Sequence, residues 1–65
     1  MWKDYLFEFV DEDSENAGEM FFVELFNVEE KDAIKYACDL FPDEELIYLG
    51  EYSVEEAEAY GYDTY

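Results

Sequence analysis

The chain is 65 residues long and carries 20 acidic residues against three lysines, with no arginine or histidine, for a net charge of −17. That length holds one domain, residues 1–65, which buries only about 60% of the surface its unfolded form exposes. Because 51% of the residues are apolar and 22% aromatic, the composition excludes the intrinsic disorder that such charge otherwise brings.

Lys3 to Val10 alternates Tyr5, Phe7 and Phe9 on one face with Asp4, Leu6, Glu8 and Val10 on the other, the period of a strand. The polar stretch Asp11 to Gly18 follows as a loop. Glu19 to Phe26 is the second strand, with Phe21, Val23 and Leu25 opposite Met20, Phe22, Glu24 and Phe26, and it pairs antiparallel with the first. Asn27-Val28-Glu29-Glu30 has the form of a capped helix start, Asn27 being the cap. The helix runs to about Phe41, where Pro42 stops it, and Ala33, Ile34, Ala37, Cys38 and Phe41 form its apolar stripe. Glu45 to Tyr52 is a third strand. Ser53-Val54-Glu55-Glu56 repeats the capping signature and opens a short second helix that ends near Gly61. Gly61 to Tyr65 is a tail.

The fold class is therefore α+β: a small antiparallel sheet of about three strands with two helices, in the order β-β-α-β-α. One sheet with its helices on one face is the natural packing. Phenylalanines on both faces of the second strand predict that the other face is partly covered or partly used for contact. A homodimer is one way of hiding the surplus aromatics. Trp2 is either a core plug or an exposed anchor.

Missing residue types remove most chemistry. Without histidine and with a single cysteine, His/Cys metal sites and the common nucleophile–base pairs cannot be assembled. Gly18, Gly50 and Gly61 stand alone and make no phosphate loop. With no basic patch, direct nucleic-acid binding is disfavoured. Close carboxylate pairs arise by number alone, and so short a chain offers little cleft to desolvate them. No enzymatic activity and no cofactor are expected. Asp11-x-Asp13-x-Glu15 resembles the opening of a calcium loop, yet Asn16 and Phe22 stand where the loop needs glycine and a bidentate glutamate. Cys38 reads as a small hydrophobe on the inner helix stripe.

Apolar runs of at most four residues fall far short of the roughly 20 that a membrane helix needs. Met1-Trp2-Lys3-Asp4 lacks the basic opening of a signal peptide, and a lone cysteine suits a reducing compartment. The expected location is the cytoplasm of a host bacterial cell, with no membrane partner.

The candidate functional residues are the carboxylates of the partner-binding acidic surface. Asp11, Glu12, Asp13 and Glu15 lie on the first loop; Glu29, Glu30, Asp32 and Asp39 on the first helix; Asp43 and Glu44 on the next turn; Glu55, Glu56 and Glu58 on the second helix. Helices hold such charges at fixed spacing, which suits imitation of a phosphate row, and Tyr36, Tyr48, Tyr52, Tyr60 and Tyr62 stand among them as contact residues. A chain of this length has a diameter of about 28 Å, and that length of duplex carries about 16 phosphates. The chain's charge is of the same size. A halophilic origin would also produce acidity, but it matches aspartate excess, and here glutamate dominates.

In size and charge, with Asp11 to Glu15, Glu29-Glu30 and Glu55-Glu56 as its acidic segments, the chain resembles the small acidic DNA-mimic inhibitors of phages and mobile elements. That class includes anti-restriction and anti-CRISPR proteins, and the nearest resemblance is to anti-CRISPR proteins acting on the type I-C Cascade complex. The resemblance implies a partner that is a basic nucleic-acid-binding protein or complex, a Cascade subunit, whose recognition of target DNA is blocked. The alternative from the charge alone is an immunity or antitoxin protein that neutralises a basic nuclease toxin.

Overall fold

A computed structural model describes all of residues 1–65. Four strands and two helices follow one another: β1 (Trp2–Phe9), β2 (Met20–Phe26), α1 (Glu30–Leu40), β3 (Leu46–Ser53), α2 (Val54–Glu58) and β4 (Asp63–Thr64). They form an α+β fold around one four-stranded sheet of order β3-β1-β2-β4. β1 is antiparallel to both β2 and β3.

The fourth strand corrects the expectation of an irregular tail and of a wholly antiparallel sheet. Asp63 and Thr64 run parallel to β2 opposite Phe21 and Phe22. Backbone bonds from Tyr65 N–H to Phe22 C=O (2.9 Å) and from Glu24 N–H to Tyr65 C=O (3.0 Å) extend that pairing. The Tyr65 ring then meets Phe21 and Phe41 edge-on at 5.5 and 5.3 Å.

The helices lie on opposite faces of the sheet, and each has its own cluster. On the α1 face, Tyr5, Phe7 and Phe9 from β1 and Phe21 and Val23 from β2 pack beneath Ala33 and Ala37. These two alanines are the buried residues of α1, and their small size lets the helix approach closely. The apolar stripe is accordingly narrower than the sequence pattern suggests. Ile34 lies at its margin, and Cys38 is exposed rather than part of the inner stripe. On the other face Leu6, Phe22 and Ala57 form a smaller cluster, flanked by Met20 and Tyr52. So α2 covers the second face that the phenylalanines of β2 required, and it covers that face only in part.

Helix α1 starts two residues later than a cap at Asn27 would place it, at Glu30. Asn27 takes a left-handed conformation at φ 57°, a region where Asn is among the few tolerated residues, and it turns the chain out of β2. The N-cap is Glu29, whose N–H donates to the Asp32 carboxylate at 3.3 Å. Ser53 does cap α2, its Oγ accepting from Glu56 N–H at 3.2 Å.

Candidate functional site: an acidic shell with one buried carboxylate

The predicted acidic residues fall into three places. The β1–β2 loop and the α1–β3 turn come together at one end of the sheet. There Ser14 Oγ donates to Glu44 Oε1 at 2.7 Å and Asn16 Nδ2 donates to the same oxygen at 3.4 Å, while Val10 N–H donates to Glu45 C=O at 2.9 Å. Glu12, Asp13, Glu15 and Asp43 are exposed around this junction. Glu29, Glu30, Asp32 and Asp39 are exposed on α1, and Glu55, Glu56 and Glu58 on α2, across the sheet from them. No single flat surface brings both helices together, so a partner that touches both must wrap round the sheet.

Two of the predicted contact residues serve the fold itself. Glu44 is half-buried, holding the loop through Oε1, and its Oε2 is buried without a partner. Asp11 accepts Asp13 N–H through Oδ1 at 3.0 Å, closing a turn of the loop. Both therefore have less to offer a partner than their exposed neighbours.

Almost none of this charge is neutralised internally. Lys3 pairs with Glu51, and Lys31 with Glu29 at 3.5 Å; these are the only ion pairs. The Glu51 carboxylate raises the Lys3 ammonium above its ordinary value, through their hydrogen bond first and their charge attraction second. Both pairs are exposed and add little stability.

The residue the sequence reading missed is Asp4. Alternation sets it with Leu6, Glu8 and Val10 on the face opposite Tyr5, Phe7 and Phe9, and that face is the one α2 covers. Asp4 is 2% exposed, and its Oδ1 has no hydrogen-bond partner. It stands opposite Glu24 in the β1–β2 register and opposite Tyr52 in β3. Burial raises its carboxyl above the ordinary value, and the negative charges of Glu24 and Glu58 raise it further. Polar positions in the alternation of β1 gave a signal that a carboxylate lies there, but only the location of α2 makes it buried.

Aromatic residues gather on the same face of the sheet. Phe22, fully buried, is ringed by Tyr52, Tyr60 and Tyr62 at 5.8–5.9 Å. At the start of β1, Trp2 contacts Phe26 at 5.3 Å, and both are more than half exposed, so Trp2 lies on the surface and is not a core plug. A shallow hollow of about 340 Å³ opens between Gly18, Glu19, Met20, Gly61, Tyr62 and Asp63.

No family model, curated protein or solved structure matches the chain. Its chemistry must be read from its own residues. No helix is long and apolar enough to cross a membrane, and no group of three or more metal-ligating side chains is assembled.

Proposed function

We propose that this protein is a non-catalytic DNA mimic that occupies the basic nucleic-acid-binding surface of a bacterial defence complex. The observation that carries this reading is the unneutralised charge on an elongated body. The molecule measures 35 × 24 × 15 Å, and a duplex segment as long as its longest axis carries about 20 phosphates. The net charge of −17 is close to that value, and only Glu29 and Glu51 have a cation of the protein's own beside them. Carboxylates on the loop end, on α1 and on α2 surround the sheet, as phosphates surround a duplex, which suits a channel that encloses its ligand. Such a ligand releases counterions from the channel as DNA does and is steered to it by charge. Defence complexes that hold target DNA in a basic channel are the matching partners, and a Cascade complex is the one that the resemblance to acidic phage inhibitors implies.

The test is capture from nuclease-treated bacterial lysate on the immobilised protein, at low and at high salt. The expected result is one basic nucleic-acid-binding complex retained at low salt and lost steeply as salt rises. Retention that is indifferent to salt, or of proteins with no nucleic-acid-binding surface, would overturn the reading.

A further inference from the structure

The face of the sheet carrying α2 holds two features that net charge does not explain. Trp2 and Phe26 meet across β1 and β2, in register, yet 55% and 54% of their surfaces remain exposed. Helix α2 packs on Leu6 and Phe22 and leaves this aromatic pair open. Two residues further along both strands, on the same face, Asp4 stands opposite Glu24, about 7 Å away by strand geometry. Asp4 is 2% exposed and its Oδ1 lacks a donor. Glu58 of α2 contributes its charge to the same carboxyl.

No lysine relieves these three carboxylates. Lys3 pairs with Glu51, and strand alternation directs both to the α1 face, since Glu51 lies opposite Tyr5. Lys31 is held by Glu29, and Lys35 belongs to α1 on the far side of the sheet. A buried carboxylate without donor or cation is costly. An arriving cation gains more here than at the solvated carboxylates of the loop.

We propose that this patch is the seat of an arginine side chain of the basic protein partner: the guanidinium plane lies on the Trp2 ring, with the Phe26 ring tilted 55° beside it, and its N–H groups donate to Glu24 and Glu58 beside Asp4. Arginine fits better than lysine because its planar, weakly hydrated head stacks on aromatic rings and matches carboxylates in a bidentate fork. Arginines that hold DNA do so through phosphate oxygens, and here carboxylate oxygens take that place. The inference rests on the DNA-mimic reading and sharpens it, since it selects one face and one side-chain chemistry from several acidic clusters.

Trp2 is the only tryptophan, so its fluorescence reports on the patch directly. The experiment titrates an oligo-arginine peptide and an oligo-lysine peptide of equal length into the protein at low salt. Affinity is read by calorimetry and the local environment by Trp2 emission. The expected result is a shift of Trp2 emission with oligo-arginine, and binding about fivefold or more tighter than for oligo-lysine. Glu24→Gln with Glu58→Gln should weaken oligo-arginine about tenfold. Glu12→Gln with Asp13→Asn, the same charge change at the opposite end of β1, should weaken it about twofold or less. Removing like charges from the patch does not threaten the fold, and circular dichroism verifies it. Trp2→Phe should keep the preference for arginine and Trp2→Ala should lose it. Equal weakening by the two charge pairs, or no preference for arginine, overturns the assignment of this face while the DNA-mimic reading stands. Failure of both peptides to bind overturns both.

Discussion

Tyr48 and Tyr52, four residues apart on one strand, lie on opposite faces of the sheet. Tyr48 contacts Phe7 at 5.5 Å on the α1 face, and Tyr52 contacts Phe22 at 5.9 Å on the α2 face. Regular alternation would put both on one face. The pairing of β3 with β1 supplies the reason: Leu6 is opposite Gly50, but Phe7 is opposite Tyr48, so Leu49 is an extra residue and the strand changes face there. Gly50 makes this possible with φ 149°.

Gly50→Ala should therefore destabilise the protein by about 1–3 kcal/mol, the cost of holding a side-chain-bearing residue in that backbone conformation. An added Cβ meets only Tyr52 Cε2 at 3.7 Å, an ordinary contact, so the loss comes from the backbone rather than from a clash. Urea unfolding measures it. An unchanged midpoint would mean that β3 runs without the bulge.

Asp4→Asn should stabilise the protein at neutral pH by about 1 kcal/mol, or a rise in Tm of about 4–8 °C for a domain of this size. The direction follows from proton binding. The folded-state carboxyl lies above the ordinary value of 3.8, so the folded state holds its proton over a window in which the unfolded state has lost it. The wild-type protein loses stability as pH rises through that window from 3.8 upward, and the contribution is flat below it. The gap between Asp4→Asn and wild type should thus be open at neutral pH and close at pH well below 3.8. Thermal unfolding of both proteins across that range measures the gap. A constant loss of stability in the variant at every pH would contradict the burial of an unpartnered charge.

Screening should stabilise the whole molecule. With a net charge of −17 and two exposed ion pairs, repulsion outweighs internal attraction, and salt shortens the range of both. The Tm should rise between low salt and about 0.5 M, where the screening length falls well below about 10 Å. A Tm that stays flat or falls would show that carboxylate repulsion is already relieved in the fold.

The strands and helices were legible in the sequence because alternation in Tyr5–Phe9 and Phe21–Leu25, the Ser53 cap and the stop at Pro42 are local signals. What was missed depends on distant residues. Asn27 is equally suited to capping a helix and to a left-handed turn, and the following Glu29 and Asp32 formed the cap instead. Asp63-Thr64 is too short to read as a strand without the edge of β2 to receive it. The exposed carboxylates of the candidate surface were legible by residue type. Asp4 was not, because its burial is decided by α2, fifty residues further along the chain, nor was the half-burial of Glu44, because Ser14 and Asn16 reach it from another loop.

The central claim, that carboxylates here stand in for phosphates, is tested most directly by displacement. The complex captured on the immobilised protein is challenged with increasing duplex DNA at fixed low salt, and the released fraction is measured. The account predicts that duplex DNA releases the partner competitively and that no species holds the protein, its partner and DNA together. A ternary complex that retains the protein undiminished at saturating DNA would contradict it.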